Sequence, residues 1–238
     1  MDIISLLFNE VLYRPLFNGL IFLYNTIPGH DFGVAIIALT LIIRAAIYPL
    51  AQKSLKSQRA LTELQPKVKE IQQKYKDDKE KQGRALMELY KANKVNPASG
   101  CLPLLIQLPI LLALFSVFRT GLDPERLNGL YSFISNPGVI NHMFLGFLDL
   151  SQKNLYLALL AGAAQFIQSK MMMPKSNKSS ATDFSGAMQK QMLYIFPIIT
   201  VWIAASLPAG LGLYWLAMTL FGVAQQYFLL RKKNEQRI

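Results

Sequence analysis

The sequence predicts an all-α polytopic membrane protein with five transmembrane helices, an N-terminal interfacial helix and a cytoplasmic helical hairpin. Of its 238 residues 52% are apolar and only 16% charged, and the apolar residues gather in runs long enough to cross a bilayer while the charges fall between them. Lys and Arg number 25 against 14 Asp and Glu, a net charge of +11. These observations exclude a soluble globule and a disordered chain. A single Cys and two His leave no disulfide framework and little metal or thiol chemistry.

The first segment, residues 1–30, contains an apolar stretch from Ile3 to Ile27 interrupted by Asn9, Glu10, Arg14, Pro15 and Asn18, so it is expected to lie along the interface. It opens with Asp2 and carries its only Arg mid-segment, unlike a secretory signal. The spans follow from apolar runs at 33–52, 101–120, 154–172, 191–207 and 210–230. With their flanks they occupy 31–53, 98–120, 153–172, 191–207 and 208–230. The last two are joined by Leu207-Pro208-Ala209-Gly210, which suits a tight antiparallel turn.

The connections set the orientation. Residues 53–100 carry 12 Lys and Arg, residues 170–190 carry four, and the tail 231–238 carries four. The opposite side holds Arg14, Arg119, Arg126 and Lys153. The positive-inside rule then places the amino terminus outside, the loop 121–152 outside, and the loop 173–190 and carboxyl terminus in the cytoplasm.

Within 54–97, Leu61, Leu64, Val68, Ile71 and Tyr75 recur at spacings of three and four, one apolar stripe on a polar helix. A turn is expected at Asp77-Asp78-Lys79 and Gly83, a returning stripe at Leu86, Leu89 and Tyr90, and an end at Asn96-Pro97. The hairpin's excess of basic residues, including Lys67, Lys69, Lys74 and Lys76, suits docking to an anionic partner such as lipid head groups or ribosomal RNA, as does the run Arg231-Lys232-Lys233.

Arg44 is the unusual residue, with about eleven span residues on one side and eight on the other. An arginine at a helix centre costs about 2.5–3.5 kcal/mol on insertion scales, so it should face a polar cavity rather than lipid. No Asp or Glu occurs in the other spans to pair with it. Gln107, Gln165, Gln168, Thr200 and Thr219 are the polar span residues available to line such a cavity. His30 and His142 show no ligand spacing, and Cys101 reads as a small buried residue at a helix start. Met171-Met172-Met173, with Met188 and Met192, reads as helix-end packing.

Four stretches resemble the YidC/Oxa insertase family. Asn96-Pro97-Ala98-Ser99-Gly100-Cys101-Leu102-Pro103-Leu104-Leu105-Ile106-Gln107-Leu108-Pro109-Ile110 is similar to the signature of its second core helix. Phe166-Ile167-Gln168-Ser169-Lys170 resembles the end of the third, and Leu207-Pro208-Ala209-Gly210-Leu211-Gly212-Leu213-Tyr214-Trp215 its fourth-to-fifth hairpin. Ile43-Arg44 with Tyr48-Pro49-Leu50 is similar to the first core helix. The four occur in the family's order, and the resemblance runs from about residue 5 to 233.

The resemblance implies an insertase and chaperone for membrane proteins in a bacterial plasma membrane. Its five-helix core surrounds a hydrophilic groove open to the cytoplasm and to lipid. No nucleotide, cofactor or metal is implied, and no enzymatic bond cleavage. Arg44 corresponds to the groove arginine, Gln168 to a groove glutamine, and Tyr214 and Trp215 to a substrate-contacting aromatic pair. The implied partners are nascent membrane proteins and the bilayer, with the ribosome and the Sec translocase further candidates, and no DNA. The large extracytoplasmic domain of Gram-negative members, the lipoprotein signal of many Gram-positive ones and a long basic tail are all missing from this sequence. Ribosome contact would rest on the hairpin and the short basic run. The rival reading is a small anion channel or transporter, since an intramembrane Arg also marks anion pathways. Five spans show no sign of the inverted repeat many transporters carry.

Overall fold

The computed structural model describes residues 3–96, 102–121, 129–173 and 191–235. The helix end at Pro97, Cys101, Arg126, Met188 and nearly all of the loop 173–190 lie outside the described residues. The fold is all-α apart from one small hairpin, β1 (Met143–Phe144) with β2 (Leu148–Asp149), paired antiparallel.

The chain begins with α1 (Ile3–Phe8), a π-helical turn (Asn9–Tyr13) and α2 (Arg14–Thr26). The helical stretch Ser5–Thr26 is long and apolar enough to cross a membrane, as is Ala209–Arg231. Asn18, one of the polar residues expected to break the first stretch, is 1% exposed. Its amide donates to the Arg14 carbonyl at 2.8 Å and the Gly129 carbonyl at 3.3 Å, while its oxygen accepts from the Tyr131 N–H at 2.7 Å. A polar side chain in an apolar run thus serves as a buried tie.

Asp31 caps α3 (Phe32–Ala46) by accepting the Val34 N–H at 2.9 Å. One residue later α4 (Tyr48–Lys74) departs at 69°, so the expected run 33–52 is bent near its end. Pro49 accounts for the bend. It has no N–H to offer the Ala45 carbonyl, its ring would clash with that carbonyl in a continuing helix, and it suits the first turn of the next one. Arg44 consequently lies in the last turn of α3 rather than mid-helix.

Helix α4 pairs with α5 (Lys79–Ala92) in the expected hairpin, burying Leu64 and Val68. Asp78 caps α5 through the Lys81 N–H at 3.0 Å, and that backbone bond, then the Lys81 side chain, holds its carboxyl below the usual range. Gly83 falls inside α5 rather than at the turn, because the cap at Asp78 starts the helix first. The Gln82 amide crosses to the Gln72 carbonyl at 3.0 Å and ties the pair together.

The remaining helices are α6 (Leu102–Ser116) with a π-helical turn (Val117–Gly121), α7 (Leu155–Met171), α8 (Phe196–Ser206) and α9 (Ala209–Glu235). α6 and α8 belong to the shorter apolar helices, 105–119 and 193–206. α9 packs between α3 and α7, α8 lies on α7 and touches α9, and α6 packs on the π-helical turn Asn9–Tyr13, on α2 and on α4. Among the described residues α6 and α8 share no comparable packing with each other.

The loop 129–154 gathers one end of this bundle. The Leu145 N–H bonds Asp31 Oδ2 at 2.6 Å, the Ala209 N–H bonds the Gln152 carbonyl at 2.8 Å, and the Gly210 N–H bonds the Leu150 carbonyl at 2.9 Å. Beneath it lies the core, where the Phe32 ring meets Tyr24, Phe118 and His142 edge-on at 6.0, 5.8 and 5.9 Å.

Candidate functional site

The site lies where α3, α6 and α9 converge. Tyr214 is 2% exposed, and its hydroxyl oxygen accepts the Gln107 amide N–H at 2.5 Å. Arg44, half-buried at the end of α3, is close enough to Tyr214 for the two to interact electrostatically. Among the described residues Arg44 has no carboxylate partner. Its place in the last helical turn sets the guanidinium near the negative end of the α3 dipole, an attraction worth about 0.3–1 kcal/mol. That is less than the cost of burying an arginine, so the rest must come from water or an arriving anion.

Gln168 lies elsewhere along α9. It rests on Gly222, where a methyl group would collide with its amide nitrogen. Gln165 is half-buried and Thr200 fully buried. Thr219, fully buried, turns its hydroxyl back to the Trp215 carbonyl at 2.8 Å, which satisfies it within its own helix. Of the expected groove residues, then, Arg44, Gln107 and Tyr214 come together, Gln168 meets α9 at Gly222, and Thr219 is tied to the Trp215 backbone.

Gln225 and Gln226 were not anticipated. Both are buried in α9, and Gln225 Nε2 and Gln226 Oε1 have no partner among the described residues. The signal was present as a polar doublet inside an apolar span. Lys67, Lys74 and Lys76 are exposed on the hairpin, with Lys74 over the Tyr75 ring at 5.4 Å, and Lys69 is half-exposed. Arg231 is exposed near the end of α9. Lys232 and Lys233 lie in the same helix, and their side chains are outside the described residues.

Outward-facing Leu105, Leu108 and Leu112 on α6, Leu159 on α7 and Ile198 on α8 give the helices an apolar exterior. An apolar exterior over a core holding a lone arginine and several glutamines defines a polytopic helical membrane protein with a polar interior site. The family model described as 60Kd inner membrane protein matches residues 22–236. The chain is 38% identical over 223 residues to the membrane protein insertase YidC of Fusobacterium nucleatum, covering 93% of this chain and 98% of that protein. It is 34% identical over 225 residues to the YidC of Pelobacter propionicus, covering 94% of this chain but 39% of that longer relative. A crystal structure of an active YidC insertase with its first transmembrane domain resolved matches with a TM-score of 0.61 and 34% identity, over 91% of this chain and 46% of that one. The chain therefore belongs to the YidC-type 60Kd inner membrane protein family.

Proposed function

We propose that this chain inserts integral membrane proteins and helps them fold through a hydrophilic groove centred on Arg44, without nucleotide hydrolysis. The observation that carries the reading is a half-buried arginine within electrostatic reach of Tyr214, itself bonded to Gln107, with no carboxylate of its own among the described residues. Two opposite charges 4 Å apart gain about 4 kcal/mol at an effective dielectric near 20. A substrate carboxylate can therefore offset the cost of a half-buried arginine, which is bounded by the roughly 2.5–3.5 kcal/mol of one at the centre of a span. The sparse packing between α6 and α8 suits a cleft through which a substrate helix leaves toward lipid.

The hydrophilic tail of a substrate enters the groove, drawn by Arg44 and by the Gln107, Gln165, Gln168, Tyr214 and Trp215 surroundings, with Thr219 buried behind them. Its apolar helix then partitions into the bilayer, gaining about 25 cal/mol per Å² of apolar surface buried. That gain supplies the drive and the release. Lys67, Lys69, Lys74 and Lys76 on the hairpin and Arg231, Lys232 and Lys233 at the end of α9 serve as contacts for a ribosome or translocase.

The reading includes five spans with the amino terminus outside and the carboxyl terminus in the cytoplasm. α2 then lies flat beneath the outer loop, supported by a ladder of contacts along its length. Asn18 meets Tyr131, Asn25 meets Ser135, Tyr24 meets Asn141, and Asp31 just beyond it meets Leu145. A cysteine introduced at Lys76 should be shielded from an impermeant thiol reagent in intact cells and one at Asn128 labelled; labelling at Lys76 overturns this orientation.

The function is tested by protease protection of translocated tails in vesicles. Arg44→Lys should keep much of the activity, and Arg44→Ala should lose it for substrates with acidic tails but not for the same substrates with those acids removed. Equal insertion by Arg44→Ala and the unaltered chain on every substrate refutes the charge role. Ion flux through the purified protein without substrate favours a channel.

A further inference from the structure

The loop that closes the α2 end of the bundle is unusually apolar on its outer surface. Between residues 129 and 154 the only charged residues are Asp149 and Lys153, in a chain of net charge +11. Ile134, Ile140 and Leu150 point inward and are buried. Phe133, Val139, Leu145 and Phe147 point outward, at 75, 83, 60 and 73% exposed. A loop surrounded by water carries polar residues at outward positions, and four large apolar ones on one short loop mark a contact surface.

The turn itself carries a second sign. Leu145 sits at φ +51° and Gly146 at φ +77°, between strand residues Phe144 and Leu148. The first of these positions is ordinarily filled by Asn, Asp or Gly, because a side chain such as leucine is strained there. The strain is held in place by the Leu145 N–H bond to Asp31 Oδ2, and it keeps an apolar side chain at the tip.

What covers this surface follows from its neighbours. The loop runs into α7, whose first residues Leu155 and Tyr156 are exposed, directly after the extended cap Asn154 that ends the loop. On α8, exposed Trp202 lies within two turns of the junction that Gln152 holds through Ala209. Exposed Tyr and Trp at this level are what a membrane–water boundary selects. The loop is also clamped to α2, and the α1–α2 segment turns Leu6, Leu7, Val11 and Phe22 outward. The apolar surface is thus continuous with the bilayer-facing exterior of the bundle.

We infer that the loop 129–150 is a membrane-docking element, which lays Phe133, Val139, Leu145 and Phe147 into the head-group region of the leaflet on its own side. The partner is the phospholipid interface, and α2 with the loop forms one clamped anchoring unit. This inference rests on membership of a membrane protein family and does not depend on the role of Arg44.

The test uses the full chain with Cys101→Ser, and single cysteines replacing Phe133, Phe147, Ser151 or Lys76, each carrying an environment-sensitive fluorophore. The proteins are placed in phosphatidylcholine nanodiscs with no other protein present. Nitroxide lipids labelled near the glycerol end should quench the probes at Phe133 and Phe147 several-fold more than those at Ser151 and Lys76, and aqueous iodide should show the reverse order. Iodide quenching at Phe147 equal to that at Lys76 overturns the inference. So does protection that appears only when another protein is added, which would make the surface a protein contact. Because an apolar dye could itself draw the loop inward, hydrogen exchange is also read on the unlabelled chain. Residues 143–149 should exchange several-fold more slowly than in the combined Phe133→Ser and Phe147→Ser variant in nanodiscs, and equal rates overturn the inference.

Discussion

Gly162 on α7 and Gly222 on α9 offer a paired test of how tightly the bundle is packed. Replacing glycine by alanine inside a helix gains about 0.5–1 kcal/mol at either position, because the unfolded chain loses freedom it no longer has to surrender. The surroundings decide the rest. A methyl at Gly162 would run into Val201 Cγ2 and stand 3.2 Å from the Pro197 carbonyl oxygen, a stiff β-branched side chain and the backbone of α8. Neither yields without shifting the helix, and overpacking of this kind costs about 1–3 kcal/mol. A methyl at Gly222 meets the amide end of Gln168, with Cδ at 3.3 Å, and that flexible side chain can swing away. Gly162→Ala should therefore destabilise by roughly 0.5–2 kcal/mol net, whereas Gly222→Ala should be neutral or stabilise by up to about 1 kcal/mol. At about 2–4 °C per kcal/mol for a chain of this size, Gly162→Ala should lower the unfolding midpoint by roughly 1–8 °C. Tryptophan emission from Trp202 and Trp215 in nanodiscs can follow the transition. Gly222→Ala should also impair insertion while stability holds, since it displaces Gln168 from the proposed groove. A midpoint for Gly162→Ala at or above that of the unaltered chain would show that the α7–α8 contact is loose and the reasoning wrong.

Asn18→Leu should remove the partner of the half-buried Tyr131 N–H, at a cost of up to about 1–3 kcal/mol, while the exposed Gly129 carbonyl turns to water; unchanged exchange of the Tyr131 amide would count against the tie. Asp149 is held below the ordinary carboxylate range first by the Ser151 hydroxyl and then by the Ser151 N–H. A lowered folded-state pKa contributes stability above the unfolded value of about 3.9 and loses it as pH falls toward the folded one. Protection of the loop near residues 149–151 should thus weaken below about pH 4. Ser151→Ala should shrink that acid loss, and an identical acid limb in both proteins would contradict the assignment. Deleting residues 57–93 should leave a folded core that inserts substrates poorly, because the hairpin buries its own seam at Leu64 and Val68; loss of the core transition in calorimetry would make the hairpin structural.

The all-helical character and the family were both legible in the sequence, because apolar run length and ordered motifs are local signals. The hairpin was legible too, since the spacing of Leu64 and Val68 reports a face the helix must bury. The bend at Ile47 was harder to read. Tyr48-Pro49-Leu50 is visible, but a proline in an apolar run is equally compatible with a kinked span and with the first turn of a new helix, and only the direction α4 takes decides. The role of Asn18 was hidden for a related reason. The residue reads as a polar break, yet besides the Arg14 carbonyl its partners stand 111 and 113 residues away and no local pattern announces them. The close approaches at Gly162 and Gly222 likewise depend on side chains from other helices. Gln225 and Gln226 were in plain view and needed only to be weighed as intramembrane polar groups.

The bend between α3 and α4 gives the hairpin the mechanics of a long rod pivoting close to the arginine. α4 has 27 residues, so it reaches about 40 Å from its root, while Arg44 stands four residues before that root. A swing of about 10° at the pivot carries the far tip through roughly 7 Å at that length. Read in reverse, a large partner that drags the tip by several ångströms turns the root by only a few degrees. The tip of such a rod can therefore sweep a wide volume beyond the bundle for a partner, while Arg44, at the end of α3, scarcely moves.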